Sequence, residues 1–243
     1  MAVVVLGRPG VRVGFGVSHP ARRMAGVLLG LLAIRANRTL SVECIIDALW
    51  PGKPPASAAA NVRSHLAELR RLLPATDPVI VTSRDGYALV ARPDGVDVTH
   101  FRLLVAEGRR SRGRSDVEAE RSLARAVALW RGPVLAGVPV PDVLRPDVAV
   151  LEEQRLDAVE DLLEVRLALG GHQELVPVLA GLVVEHPLRE RLWRLLVGAL
   201  DAAGRRTEAL VVYRRLTRVL AAELGVTPCA ATNELYEVVK RRT

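Results

Sequence analysis

The order of secondary-structure signals in residues 3–90 is the feature that most restricts how this chain can fold. Residues 3–17 alternate around Gly7-Arg8-Pro9-Gly10 and predict a small hairpin or meander. Three helical patterns follow, and Asp85-Gly86 then marks a turn between two β-rich runs. A small sheet, three helices and a β-hairpin, in this order, predict a winged helix-turn-helix domain in residues 1–95.

Capping and breaking residues bound the three predicted helices. The first begins after Pro20 and ends at Asn37, and the second runs from Ser41, its N-cap, to Trp50. The prolines at 51, 54 and 55 must end the second helix. The third runs from Ser57 to Leu73 and carries an apolar stripe at three- and four-residue spacing, formed by Ala59, Val62, Leu66, Leu69 and Leu73.

Residues 96–243 predict a second domain that is nearly all helical. Gly171 and Gly204 lie 33 residues apart and each precedes a helical pattern, close to the period of about 34 in tetratricopeptide repeats. The copy that begins at Gly204 fits that repeat, whereas the copy at Gly171 is degenerate. The predicted fold class is therefore mainly α: an α+β winged helix-turn-helix followed by an all-α, tetratricopeptide-like domain.

Almost all of the excess positive charge lies in the first predicted domain. Residues 1–95 hold twelve Lys and Arg against six Asp and Glu, whereas residues 96–243 hold 22 against 21. A basic domain beside a neutral one indicates a polyanionic partner such as nucleic acid. A solvated basic surface without such a partner is the alternative.

The outer face of the third helix is suited to a DNA groove. Its N-terminal half is small or polar and uncharged, which lets a helix backbone enter the major groove, while Asn, Ser and Arg reach base edges and phosphates. Plain solvent exposure is the alternative. The candidate DNA-binding residues are Ser57, Asn61, Arg63, Ser64, Glu68, Arg70 and Arg71, with Arg84 at the hairpin tip.

Glu68 conflicts with a phosphate-facing surface. A carboxylate there would repel the DNA backbone unless it accepts from a cytosine amino group or pairs with Arg71 or Arg22. Arg84 has its own alternative, since an arginine at a turn can simply be solvated. Both questions depend on side-chain direction.

Nothing in the sequence predicts an enzyme, a cofactor or a metal site. The histidines lack metal-ligand spacing, and neither a nucleophile elbow nor a phosphate-binding loop occurs. Asp157, Glu160 and Asp161 alternate with arginines and predict solvated, salt-bridged helix faces. Isolated Cys44 and Cys229, with no apolar run long enough for a membrane span and no leader, predict a cytoplasmic protein.

Several strings resemble one family of regulators. Residues 37–73 resemble the OmpR/PhoB-type DNA-binding domain and, in particular, the Streptomyces antibiotic regulatory protein (SARP) family, through Asn37-Arg38-x-Leu40-Ser41-Val42, Ile46-Asp47-Ala48-Leu49-Trp50-Pro51 and Asn61-Val62-Arg63-Ser64-His65-Leu66. The second part resembles the bacterial transcriptional activation domain, through Ala128-Leu129-Trp130-Arg131-Gly132-Pro133, Glu185-His186-Pro187-Leu188-Arg189, Glu208-Ala209-Leu210 and Glu223-Leu224-Gly225-Val226.

The resemblance implies a transcriptional activator. Such a protein binds direct repeats in double-stranded promoter DNA, associates side by side on that DNA, and recruits RNA polymerase holoenzyme, typically at secondary-metabolite (antibiotic) gene clusters. The polymerase-facing loop would be Trp50, Pro51, Gly52, Lys53, Pro54 and Pro55. Two departures stand out: Glu68 occupies a position that is often basic in the family, and Asp201-Ala202 replaces a stretch that is usually Tyr-Arg.

Two other functions compete with direct activation. A helical-repeat adaptor with a degenerate winged helix would bind a protein partner without DNA, and Glu68 together with the balanced charge of residues 96–243 motivates it. Alternatively, the repeats bind a small ligand or a further domain that controls DNA binding. The sequence identifies no pocket residues for that ligand.

Overall fold

The computed structural model describes residues 2–74 and 76–241, which form two compact units. The first unit lies within residues 1–110 and 121–158, and the second within 111–120 and 159–243. The chain is mainly helical, as the sequence predicts. The division into a DNA-binding domain of residues 1–95 and an activation domain of residues 96–243 differs from these compact units and stays a prediction. In the described residues, every helix is too short or too polar to cross a membrane.

The first unit begins with the elements that the sequence predicts, in the same order. An antiparallel sheet joins β1, β2 and β3, and an antiparallel hairpin joins β4 and β5 with Ser83 opposite Gly86. Three helices lie between them in the chain. The elements are β1 (Val3–Val4), β2 (Gly10–Val13), β3 (Gly16–Ser18), α1 (Arg23–Ile34), α2 (Val42–Leu49), α3 (Ala58–Leu72), β4 (Val79–Ser83) and β5 (Gly86–Val90).

Helix α1 is the centre of this core. Every residue from Ala25 to Ile34 is buried, and α2, α3 and β5 pack against the helix. Helix α2 begins as predicted, because Ser41 Oγ accepts the backbone N–H of Cys44 at 3.1 Å. Asn37 adopts a positive φ of 65° and hydrogen-bonds both backbone groups of Ala91 at the end of β5. The core of the first unit therefore fixes where α3 and the hairpin lie.

Residues beyond 95 complete the same unit. They include most of α4 (Asp97–Ser111), the later part of α5 (Asp116–Val127), a 3₁₀ turn (Asp142–Leu144) and the first half of α6 (Arg145–Ala168). The buried carboxylate of Asp97 accepts from the backbone N–H groups of Val5 and Leu6 and from Arg131, at 2.8–3.0 Å. This aspartate ties the residues just after β1 to α4 and to the segment after α5.

Within the described residues, the second unit contains the start of α5, the second half of α6 and four further helices that pack in succession. These are α7 (His172–Glu185), α8 (Glu190–Ala202), α9 (Arg206–Leu224) and α10 (Ala230–Arg241). The predicted break at Gly171 directly precedes α7, and the break at Gly204 lies two residues before the start of α9. The prediction of solvated acids on α6 was wrong for Glu160 and Asp161, which are buried and pair with Arg189 and Arg191.

Candidate nucleic-acid interface

Helix α3 presents one face to the core and the opposite face to solvent. It packs against α1, α2 and β4, and buries Ala58, Val62, His65, Leu66 and Leu69. The sequence placed Ala59 in the apolar stripe, but the structure buries Ala58 and exposes Ala59. His65 joins the buried side because it lies one turn after Val62 and beside Leu69.

The exposed face is small and cationic. Arg63, Ser64 and Arg71 are exposed, as are Ala60 and Ala67 on the same side of the helix. Arg71 Nε donates to the carbonyl of Ala67 at 3.3 Å, one turn earlier on the same helix. Small residues let another surface approach the helix backbone, and the guanidinium groups supply charge around that approach.

The predicted residues at the start of α3 lie together. Ser57 is the exposed N-cap residue, and its hydroxyl accepts from Asn61 Nδ2 at 3.2 Å. No side-chain bond caps the helix there. Ser57 and Asn61 therefore form a small polar patch on the first turn.

Glu68 does not point outward with the other predicted residues. Its carboxylate is only 14% exposed and lies 3.8 Å from Arg22 Nε. Glu68 Oε1 accepts the backbone N–H groups of Ala21 and Arg22, at 2.9 and 3.3 Å, just before α1. The structure thus gives the partner that the sequence left open: Glu68 pairs with Arg22.

Arg70 is held by the hairpin. Its guanidinium donates to the carbonyl of Ile80 at 3.2 Å and to the hydroxyl of Thr82 at 2.7 Å, both on β4. These bonds fix α3 against the hairpin. A DNA contact by Arg70 stays a prediction, and the observed contacts favour a positioning role for it.

Two other predicted segments are exposed. Arg84 and Asp85 form the two-residue tip of the β4–β5 hairpin. In the loop between α2 and α3, Trp50 is half-buried, whereas residues 51–55 are exposed. Both segments are available to a macromolecular partner.

The electrostatics beneath α3 favour a neutral imidazole at His65. Burial lowers its pKa, nearby Arg22 lowers it further, and Glu68 acts in the opposite direction. The described residues contain no group of His, Cys, Asp and Glu arranged to hold a metal ion.

Sequence reasoning missed Arg22 as part of this surface. Its Nη1 donates to Ser64 Oγ at 2.8 Å, so its guanidinium lies on the exposed edge of α3. The sequence predicts Arg22 only as a possible partner of Glu68. The adjacent pair Arg22-Arg23, at the start of an apolar helix, was the available signal.

Comparisons with known proteins place the chain among bacterial regulators. The family model described as the bacterial transcriptional activator domain matches residues 96–240. Regulatory protein DnrI of Streptomyces peucetius is 35% identical over 234 residues, which cover 91% of this chain and 85% of DnrI. Regulatory protein AfsR of Streptomyces coelicolor is 41% identical over 213 residues, but these cover only 21% of AfsR.

A solved structure extends this similarity to the whole fold. The structure of Mycobacterium tuberculosis EmbR in complex with a low-affinity phosphopeptide matches with a TM-score of 0.91 and 28% sequence identity. The match covers all of this chain and 65% of the EmbR chain.

Proposed function

The chain belongs to the Streptomyces antibiotic regulatory protein family of transcriptional activators, and from this premise we propose that it binds double-stranded promoter DNA through α3. Residues 1–95 act as an OmpR/PhoB-type winged helix, in which α2 and α3 form the helix-turn-helix and the β4–β5 hairpin is the wing. Helix α3 enters the major groove, and Arg84 reaches the DNA backbone or minor groove from the wing.

One observation carries this proposal: the outer face of α3 combines small residues with exposed cations. Arg63 and Arg71 are exposed around Ser64 and two alanines. Glu68, the acid on this helix, is turned toward the start of α1. The surface therefore repels phosphate less than the sequence suggests. The same observation weakens the adaptor alternative, which Glu68 helped to motivate.

Family membership and the exposed loop between α2 and α3 support the proposal of how the protein activates transcription. The protein binds direct repeats as a side-by-side pair, and the loop Trp50–Pro55 faces RNA polymerase holoenzyme. Residues 51–55 are exposed, as such a contact requires. The tetratricopeptide-like helices of residues 96–243 supply the second, protein-binding part. The target genes are an antibiotic biosynthesis cluster, as membership of the family implies.

Selection of binding sites from a random duplex pool with the purified chain tests DNA binding. We expect enrichment of a direct repeat, and weaker binding of that repeat by Arg63→Ala and Arg71→Ala. Each lost phosphate contact should make the slope of log K against log[KCl] less steep by about 0.9. Arg214→Ala, an exposed arginine on α9, is the matched control.

The competing functions give different results in the same assay. An adaptor would enrich no sequence even at low salt, and would capture a protein partner without DNA. Enrichment that is unaffected by both Arg63→Ala and Arg71→Ala would contradict the role of α3. Transcription from the selected repeat with purified holoenzyme then tests activation.

A further inference from the structure

Arg22 is the cation best placed to extend the proposed DNA-binding surface. It directly precedes α1, yet its guanidinium lies against the exposed edge of α3, where Nη1 donates to Ser64 Oγ at 2.8 Å. The side chain is 60% exposed. A guanidinium has five N–H donors. In the described residues Ser64 accepts one of these N–H groups and Nε lies 3.8 Å from Glu68, so the remaining donors of this exposed side chain are available to another partner.

Glu68 holds Arg22 in this position. The carboxylate lies 3.8 Å from Arg22 Nε, and its Oε1 accepts the backbone N–H of the same residue at 3.3 Å. Helix α1 has neither a side-chain cap nor an acid in its first turn. Glu68 therefore supplies the negative charge that the positive end of the helix dipole favours. The carboxylate is neutralised from two directions while Arg22 stays accessible.

The surface beside this pair is a groove between two arginines. The groove has a volume of about 420 Å³ and is lined by Arg22 and Arg71, together with His19, Ala21, Glu68 and Leu72. When a recognition helix lies in the major groove, phosphates run along its edges, and the preceding helices approach the backbone. A phosphate beside Ser64 would thus meet Arg22 first.

We propose that Arg22 neutralises a DNA phosphate at the edge of α3, and that Glu68 is the positioning residue that pre-orients it. The inference rests on the proposed function, because it assumes that α3 enters the major groove. It also explains how the chain carries an acid at position 68. The cation at this edge comes from the start of α1 instead of from α3.

This proposal differs from a role of Glu68 in contacting DNA itself. A carboxylate that reads a cytosine amino group must present a free oxygen to the groove. Glu68 is 14% exposed, one of its oxygens accepts two backbone N–H groups, and the other faces Arg22. Base reading by Glu68 would break these contacts.

The test measures binding of the selected repeat by fluorescence anisotropy from about 50 to 200 mM KCl. We expect Arg22→Ala to make the salt slope less steep by about 0.9, the loss of one phosphate contact, and Arg22→Lys to keep the wild-type slope. Arg38→Ala is the matched control. It removes an equal charge beyond the other end of α1, roughly 18 Å away along a twelve-residue helix.

A double-mutant cycle tests the positioning role of Glu68. With Arg22 present, Glu68→Gln should weaken binding by about threefold, since a freed side chain must be ordered again on binding. In the Arg22→Ala background, the same change should tighten binding, because it removes a carboxylate that has lost its partner. Glu68→Gln would then change the binding free energy in opposite directions in the two backgrounds, as expected for a residue that acts through Arg22.

Three outcomes overturn the inference, and the first two are distinguishable from failure of the proposed function. Equal slopes for Arg22→Ala and Arg38→Ala on a repeat that the wild type binds would remove Arg22 from the interface. Tighter binding by Glu68→Gln in both backgrounds would make Glu68 an independent repelling group. Failure to select any repeat would remove the proposed function and this inference together. Thermal denaturation of each variant shows that it is folded, and Arg22→Lys provides a second variant that keeps the charge.

Discussion

His65 is a titratable residue on the buried side of α3. Its side chain is buried, and its Nδ1 has no hydrogen-bond partner among the residues that the structure describes. Burial lowers the pKa of this imidazole, and Arg22 adds to the effect. Folding therefore favours the neutral form, whereas the unfolded chain titrates near the ordinary value of about 6.5.

The stability of the first unit should consequently depend on pH. Because the folded state binds fewer protons, the free energy of unfolding is largest above pH about 6.5 and falls as the pH drops toward the folded pKa. One titrating imidazole contributes at most about 1.4 kcal/mol per pH unit in this window. Denaturant unfolding between pH about 5 and 7.5 measures the slope.

Replacement of the imidazole separates His65 from the other titrating groups. The glutamine of His65→Gln cannot take up a proton, so the free energy of unfolding should depend less steeply on pH. His100 also has a pKa lowered by burial, and His100→Gln should remove a further part of the slope. If both variants keep the wild-type pH dependence, the buried imidazoles do not control it.

At the residue scale, the sequence predicted positions on a helix better than directions of side chains. The helical wheel placed Glu68 and Arg70 near the outer face of α3, and their backbones lie there. Their long side chains turn toward partners that the wheel cannot show. Glu68 reaches Ala21, 47 residues earlier, and Arg70 reaches Thr82, twelve residues later. Such contacts depend on tertiary packing.

At the element scale, prediction succeeded where the signals are local. Ser41 caps α2 through the N–H of Cys44, and the prolines from 51 to 55 follow the end of that helix. The hairpin was also confirmed around Arg84-Asp85. Gly86 itself is not in the turn, because it is the first residue of β5 and pairs with Ser83. The position needs glycine because its backbone packs closely against Leu40, a contact that the local turn pattern cannot predict.

Gly86 allows the hairpin to approach the strand-like segment before α2. It has a φ of +146°, and a Cβ there would overlap the carbonyl of Leu40. Leu40 and Tyr87 exchange backbone hydrogen bonds of 2.9 and 3.0 Å at this point. Gly86→Ala should therefore lower the free energy of unfolding by about 2 kcal/mol or more, as strain and displaced bonds add.

Gly14→Ala is the matched control for this change. Gly14 also has a positive φ, of 58°, but nothing lies within 4 Å of the position a Cβ would take. The control should lose only the conformational preference, about 1 kcal/mol. Equal losses of thermal stability in the two variants would show that Leu40 yields to the added methyl group.

At the scale of the molecule, the sequence predicted two parts but not how residues divide between the compact units. The charge balance changes near residue 95, and the activator-domain match begins at residue 96. The first compact unit nevertheless includes residues from both sides of that position. The contacts responsible join Val5 to Asp97, 92 residues apart, so no local pattern could reveal them.

Asp97 tests whether the first unit depends on these distant contacts. Its fully buried side chain satisfies the N–H groups of Val5 and Leu6 and pairs with Arg131 at 2.8 Å. Asp97→Ala leaves these donors without an acceptor, and should lower the free energy of unfolding by about 3–5 kcal/mol.

Asp147→Ala is the matched control, since Asp147 also pairs with an arginine, at 3.0 Å, but is 40% exposed. An exposed pair contributes at most about 1 kcal/mol, so the control should change little. Chemical denaturation followed by circular dichroism compares the variants, and similar losses would mean that the contacts of Asp97 with Val5, Leu6 and Arg131 contribute little to the stability of the first unit.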